Sequence, residues 1–534
     1  MGRWWQGATL YQLYVRSWQD SDGDGYGDLR GIIARLDHLS WLGVDGIWLS
    51  PTMPSPDADW GYDVSDYRSV HPDLGTMDDL DELIAAAGKR DMRVLLDLVP
   101  NHTSSAHPWF VDAVAGRDSA LRDYYVWSDP APDGGPPNNW LDFTGRPAWQ
   151  WDNSSGQYYL HNFLAAQPDL NWWQPRVHTE FEDILRFWFD RGVAGFRIDV
   201  AHGLYKDKLL RDNPPAEVMS PLGGRFGQVA KYSMNQPEVH EVYRRWRELS
   251  DGYETPRLLL GETWVGELTD MAAYYGDDDE LQLAFNFPFV FAPFAASELA
   301  AVVERTMAAL PEGACPVWTA SNHDVGRFPS RWCGSDDVKV KLALLVLATL
   351  PGTLVLYYGD EIGMTDVAVP PELARDVLDG QLHLGRDRGR TPMQWDDSPQ
   401  AGFTAADTRS WLPPGDTAAR NVAAQRSDPG SVLSFCRELL SLRRSERTAA
   451  AGEVARYQRR SAPEGIWRYA SGRLEVSANF TAEPAGGAWP DGEVLLSTHL
   501  LGAGAGCWSE GTRPPLARAE VLAPWEGVIA RRLG

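Results

Sequence analysis

Gly195-Phe196-Arg197-Ile198-Asp199-Val200-Ala201-His202-Gly203 starts as an apolar run and ends in charge. Side chains alternate faces along a strand, so Arg197 and Asp199, two residues apart, leave it on the same side. The stretch reads as a buried strand that delivers a guanidinium and a carboxylate to one site. A guanidinium beside a carboxylate lowers its pKa, which suits a nucleophile or charge stabiliser and not a general acid. Taken alone, the pair serves equally well as a structural ion pair closing a barrel strand. Its weight comes from the recurrence of polar residues at the ends of other strands.

Upstream and downstream, short apolar runs alternate with amphipathic stretches. Strands are expected at 9–15, 46–49, 93–99, 193–198, 257–261, 282–287, 316–320 and 353–357, with helices between them. Strands alternating with helices pair in parallel, and eight such units suit an α/β fold of the (β/α)8 TIM barrel type. No Gly-x-Gly-x-x-Gly follows the first strand, which argues against a doubly wound dinucleotide fold and gives no reason to expect an organic cofactor. Between 103 and 177 the helical period gives way to Trp, Asn, Asp, Pro and Gly, as in a small domain inserted after the third strand. After a helix at 432–444 the pattern becomes short alternating runs at 465–469, 474–478 and 493–497, an antiparallel β domain. The expected domains are therefore barrel 1–102, inserted domain 103–177, barrel 178–450 with a long loop at 365–414, and C-terminal domain 451–534.

Composition narrows the partners. Lys and Arg number 49 against 74 Asp and Glu, a net charge of −25, which disfavours nucleic acid and anionic membrane surfaces and leaves small neutral ligands. The four cysteines, Cys315, Cys333, Cys436 and Cys507, show no metal-like spacing, as in a reduced, cytoplasmic protein. Met1-Gly2-Arg3-Trp4-Trp5-Gln6 carries no apolar run, and the run at 342–358 is broken by Pro351-Gly352, so neither an export signal nor a membrane span is expected. The 24 Trp are mostly packing in a large domain, with flat faces that also suit sugar rings.

The polar residues at strand ends carry the chemistry. Asp97, Asn101 and His102 mark the third strand, Arg197 and Asp199 the fourth, Glu262 the fifth, His323 and Asp324 the seventh, and Asp360 and Glu361 the eighth. In a parallel barrel these converge on the C-terminal face, where barrel enzymes hold their sites. Asp199, Glu262 and Asp324, without a metal set of Cys or His, suit acid/base and nucleophilic work on a glycosidic bond. Glu262, with no basic neighbour in Gly261-Glu262-Thr263-Trp264, is the expected proton donor, and Asp199 the nucleophile, at about 5–5.5 Å, the spacing of a retaining glycosidase. Asp324 would steady the cationic ring.

Four motifs, Asp97-Leu98-Val99-Pro100-Asn101-His102, the opening stretch, Gly261-Glu262-Thr263-Trp264 and Ser321-Asn322-His323-Asp324, resemble those of the α-amylase superfamily, glycoside hydrolase family thirteen, in family order. The resemblance implies Asp199 as nucleophile, Glu262 as acid/base and Asp324 as transition-state stabiliser. It also implies that His102, Arg197 and His323 hold the sugar's hydroxyls. Asp59-Trp60-Gly61-Tyr62-Asp63, Gln167-Pro168-Asp169-Leu170-Asn171-Trp172 and Arg390-Thr391-Pro392-Met393-Gln394-Trp395 resemble the α-glucosidase and oligo-1,6-glucosidase branch. By that likeness Asp59 and Arg390 pin the terminal glucose, Tyr62 is a platform, and a closed pocket gives exo-action from the non-reducing end of a small oligosaccharide. Val200 resembles α-1,6 enzymes, whereas Ala201-His202 and the Ser321 to Arg327 motif resemble enzymes acting on maltose-type sugars. The same site serves an α-transglucosylase or a sucrose or maltose isomerase, and a non-catalytic carbohydrate-binding scaffold is the remaining alternative.

Asp20-Ser21-Asp22-Gly23-Asp24-Gly25-Tyr26-Gly27-Asp28 alternates carboxylates with Gly at the sixth place, yet Gly31 stands where an EF-hand needs a bidentate Glu. The resemblance implies one structural Ca²⁺ or Mg²⁺ held by Asp20, Asp22, Asp24, Asp28 and the Tyr26 carbonyl. His107, His161 and His178 read as loop or surface histidines, Trp172-Trp173 as packing, and Asp277-Asp278-Asp279-Glu280 as a solvated loop. Leaving-group contacts are expected from 206–232 and from the loop after the eighth strand.

Overall fold

A computed structural model describes residues 3–376, 385–450, 453–499 and 521–532. Eight parallel strands form the central sheet: β1 Thr9–Leu13, β2 Gly46–Leu49, β3 Arg93–Leu98, β4 Gly195–Ile198, β5 Leu258–Gly261, β6 Leu283–Ala284, β7 Val317–Trp318 and β8 Thr353–Tyr357. They run in the order β7-β8-β1-β2-β3-β4-β5-β6, the succession of a (β/α)8 barrel. The expected strands at 282–287 and 316–320 shrink to two residues each. Asn286 caps a short helix at Phe287–Val290, and Pro316 lacks the N–H a ladder needs.

Helices follow each strand: α1 Leu29–Leu42, α2 Met77–Gly88, α3 Pro175–Asp190, α4 Val239–Asp251, α5 Leu268–Ala273, α6 Ala296–Ala309, α7 Asp337–Thr349 and α8 Val432–Ala449. Their starts follow local chemistry. Asp28 accepts the Gly31 N–H to cap α1, Thr76 and Asp79 form a capping box on α2, and Ser431 caps α8, each worth about 1 kcal/mol. From Leu342 to Thr349 helix α7 is buried on every side, because it packs against α8 and against the C-terminal sheet. Pro351-Gly352 then separates it from β8, as the interrupted run at 342–358 foretold.

Between β3 and α3 a three-stranded antiparallel sheet is built from Trp127–Ser128, Gln157–Leu160 and Trp149–Asp152. Trp140, Ala148, Trp149 and Leu160 form its own small core. Beyond α8, strands β9 Tyr457–Arg460, β10 Ile466–Ser471, β11 Leu474–Asn479, β12 Glu493–Ser497 and β13 Gly527–Arg531 make an antiparallel sheet in the order β9-β10-β11-β13-β12. Cys315, Cys333 and Cys436 are buried free thiols, and Cys507 lies outside the described residues. Among the described residues no helix is long and apolar enough to cross a membrane.

Several local expectations change. His107, His161 and His178 are buried: His107 caps the helix Pro108–Val114, and the ring nitrogens of His161 and His178 reach the carbonyls of Phe163 and Trp172. Glu280 is also buried, paired with His240 and Arg244 at 2.7 Å each, while Asp278 pairs with Arg3. A charge run that looks solvated in sequence thus ends inside the protein. Trp172 packs fully buried with its indole N–H on Pro100 carbonyl oxygen.

Candidate active site

Register assembles the centre. Strands β3 and β4 pair so that Asp97 lies opposite Arg197, and Asp199 follows on the same face. Arg197, only 1% exposed, places Nη1 at 2.9 Å from Asp97 Oδ1 and 2.7 Å from Asp199 Oδ1, and Nη2 at 2.8 Å from Glu262 Oε2. Trp48 on β2 and the Tyr62 hydroxyl each donate to Asp97 Oδ2 at 3.1 Å. Asp97 is therefore the rear anchor that keeps the guanidinium between the two front carboxyls.

That sharing corrects one sequence argument. Arg197 was expected to belong to Asp199 and to hold it ionised, with Glu262 lacking a cation; its single charge in fact faces three carboxyls. Burial outweighs it and, with Glu262, Asp97 and Asp324 nearby, pushes Asp199 well above the usual carboxylate range. Asp97 is raised to about 6, again mainly by burial. The two front carboxyls thus stand side by side on one guanidinium.

Asp324 behaves differently. Burial opposes its ionisation, but the guanidiniums of Arg386 and Arg390 hold it well below the usual range. Arg386 Nη1 and Arg390 Nη2 both lie 3.1 Å from Asp324 Oδ1, and His323 Nε2 is 3.1 Å from Oδ2. Burial keeps His323 neutral. Its Nδ1 meets Gln12 Nε2 at 2.8 Å, its Nε2 the Tyr62 hydroxyl at 2.6 Å, and its ring stacks on Tyr62 at 5.2 Å. An ionised Asp324, its side chain 20% exposed, is suited to a developing positive charge.

Asp59 is tied to Asp324 through Arg386. Arg386 Nη2 pairs with Asp59 Oδ1 at 2.6 Å and with Asp376 at 2.8 Å, while Gln167 Nε2 reaches Asp59 Oδ2 at 3.2 Å and His102 Nε2 at 3.1 Å. His102 Nε2 also faces the Tyr62 carbonyl at 3.0 Å. Arg390, expected to share the pinning role with Asp59, instead donates to the His323 carbonyl at 2.8 Å and lies under the Tyr14 ring. Arg386, four residues earlier, takes the place at Asp59. Both belong to Gly385-Arg386-Asp387-Arg388-Gly389-Arg390, and the sequence alone does not say which turns toward the sugar.

Lys206 is removed from the expected leaving-group surface. It is buried, with Nζ 2.7 Å from Asp169 and 2.8 Å from Asn101 Oδ1, and so ties the inserted domain behind His102. The rest of 206–232 borders the inserted domain through Asn138 and Asn139, and Trp264, two residues after Glu262, donates to the Pro221 carbonyl at 2.9 Å.

In the 20–28 loop, Asp20, Asp22 and Asp24 each bring a carboxylate oxygen within 4.8 Å of the others. Gly23 and Gly25 turn with φ of +84° and +95°, and a Cβ on Gly25 would meet Arg409 carbonyl oxygen at 2.4 Å. An all-oxygen donor set on a tight loop fits a hard cation. Asp28, whose charge reaches Asp22, also accepts from Gly31 N–H, Ser21 N–H and Ser21 hydroxyl at 2.7–2.8 Å. Tyr26 donates its N–H to Asp24 at 2.8 Å.

Over residues 12–452 the chain matches the family described as alpha amylase, catalytic domain. It is 41% identical over 489 residues to a probable alpha-glucosidase of Rhizobium meliloti (strain 1021), covering 87% of each chain. With the oligo-1,6-glucosidase of Parageobacillus thermoglucosidasius it shares 37% over 480 residues, 83% of this chain and 84% of that one. Among solved structures, the α-glucosyl transfer enzyme XgtA superposes with a TM-score of 0.90 at 36% identity, covering 99% of this chain and 100% of that chain. The trehalulose synthase MutB from Pseudomonas mesoacidophila MX-45 superposes with 0.86 at 32%, over the same shares. Its barrel, its strand-end carboxyls and these matches together show that the chain belongs to the α-amylase family of glycoside hydrolases, in the branch that holds the α-glucosidases and oligo-1,6-glucosidases.

Proposed function

We propose that the protein is a retaining, exo-acting α-glucosidase that releases α-glucose from the non-reducing end of short α-glucosides with maltose-type α-1,4 or isomaltose-type α-1,6 bonds. The observation that carries this is the Asp59–Arg386 pair at 2.6 Å, which sits beside Asp324 and which we read as the blocked end of the sugar site. A chain can then enter by its end only.

Asp199 attacks the anomeric carbon as Glu262 protonates the departing oxygen, which leaves a glucosyl ester on Asp199; Glu262 then takes a proton from the water that hydrolyses it. Asp324 and the shared Arg197 stabilise charge as it develops and passes between these groups. The likeness to the α-glucosyl transfer enzyme XgtA and the trehalulose synthase MutB favours a second reading in which a sugar or alcohol replaces water.

Asp20, Asp22 and Asp24 would hold a structural Ca²⁺ or Mg²⁺, which neutralises the crowded carboxylates and supplies no step of catalysis. Buried free thiols at Cys315, Cys333 and Cys436 support a cytoplasmic location. The test of function is glucose release from maltose, isomaltose and sucrose by the wild type and by Asp199→Ala, with products followed by NMR. Initial α-glucose lost in Asp199→Ala is expected, and disaccharide preference decides linkage. Initial β-glucose, or no turnover of any of the three, would sink the assignment.

A further inference from the structure

Val200, the residue after Asp199, has φ of +43°, a region where a β-branched side chain is a steric outlier. Such strain persists only where the surroundings over-determine it, and here they do. Gly203 N–H donates to the Val200 carbonyl at 2.8 Å, Ala201 N–H to the Glu262 carbonyl at 3.0 Å and Glu262 N–H to the Ile198 carbonyl at 2.9 Å. The Tyr243 hydroxyl holds the Ala201 carbonyl. A Cβ at Gly203 would lie 2.6 Å from Val200 Cγ1, so the turn is packed against itself.

The bend brings one backbone donor to the acid/base. Val200 N–H donates to Glu262 Oε2 at 2.9 Å, the same oxygen that Arg197 Nη2 approaches at 2.8 Å. No hydrogen bond from the described residues reaches Oε1. With Oε2 committed to accepting, a proton on this carboxyl belongs on Oε1.

We propose that the Val200 backbone N–H is a positioning group for Glu262: with Arg197 it locks Oε2 as an acceptor, so that the transferable proton is carried on Oε1 and passes from there to the departing oxygen as the glycosidic bond breaks. The role given to Glu262 rests on the α-glucosidase reading above. The charged and titratable groups around it are Arg197 on β4, Asp199 just after it, Asp97 from β3, and His202, whose Nδ1 is 3.3 Å from the Glu262 carbonyl. Asp324, after β7, faces Asp199.

The test replaces Val200 by α-hydroxyisovaleric acid, which keeps the side chain and exchanges the N–H for an ester oxygen. A donor favours the ionised carboxyl, so its loss raises the basic limb of kcat/KM on a p-nitrophenyl α-glucoside by on the order of one pH unit. A fall in kcat of roughly tenfold, with KM little changed, is expected alongside. A basic limb that stays in place overturns the proposal. Because the ester chain can fail to fold, the wild type labelled with ¹⁵N-valine gives a second reading that needs no substrate. One valine amide proton is expected to titrate with a carboxyl and to lose that titration in Glu262→Ala, and the absence of any such amide overturns the proposal even if glucose release is confirmed.

Discussion

Nη2 of Arg197 lies 2.8 Å from Oε2 of Glu262, so the proposed acid/base carboxyl is paired with the same guanidinium that meets the proposed nucleophile, Asp199. The two roles are therefore separated by position around a shared charge and not by private partners. Lysine offers one charge without the planar fork that spans both carboxyls. Arg197→Lys is expected to lower kcat by about 100-fold or more, the scale of losing one preorganised charge partner. Steady-state kinetics on maltose check this, and a kcat within threefold of the wild type would rule it out.

Arg386 and Arg390 both touch Asp324, yet only Arg386 also holds Asp59. Arg386→Lys keeps the charge and loses the bidentate reach, so KM for maltose is expected to rise about tenfold with thermal unfolding little changed. Arg390 is fully buried against Tyr14 and the His323 carbonyl. Arg390→Ala leaves Asp324 and that carbonyl short of a donor, and is expected to lower Tm as well as activity. Equal KM effects from the two sites, with equal Tm, would contradict the division.

Asp360, 1% exposed and with Oδ1 lacking a partner among the described residues, is pushed by burial up to about 7, against the pull of Arg327. Unfolded, its pKa is about 4. Between those values the folded chain carries more protons than the unfolded one, so this group's contribution is present at low pH and is lost as pH rises toward 7. Asp360→Asn removes the titration. Between pH 5 and 8 the wild type is expected to lose on the order of 2 kcal/mol more stability than the variant, measured by urea unfolding at both pH values. Parallel losses in the two proteins would refute it.

Much of this was legible in the residues because it is periodic. Strand and helix alternation, and polar groups closing apolar runs, locate the barrel and bring Asp199, Glu262 and Asp324 to one face. What the residues could not show is pairing across distant segments. Arg197 looks like the partner of Asp199 because they are two residues apart, while its bond to Glu262 depends on how β4 and β5 sit. Arg386 and Arg390 differ only in which way an irregular loop turns, and Glu280, in a loop, is buried against His240 and Arg244 of α4. Irregular backbone and long-range ion pairs carry no period to read.

Asp28 and Asp24 lie in one acidic loop but are held by different things. Both oxygens of Asp28 accept hydrogen bonds that start α1 and fasten Ser21, so Asp28→Ala removes a helix cap and is expected to cost about 1 kcal/mol or more whether or not a cation is present. Asp24 is exposed, accepts the Tyr26 N–H and faces Asp20 and Asp22. Its loss should matter only when an ion draws the three carboxylates together, because binding to the folded state alone stabilises by mass action. Thermal unfolding in EDTA and in excess Ca²⁺ or Mg²⁺ separates the two. The wild type and Asp28→Ala should differ already in EDTA, whereas Asp24→Ala should match the wild type there and gain little from the added ion. A wild type indifferent to both cations would remove the metal from this loop and leave it as a turn held by Asp20 and Thr404.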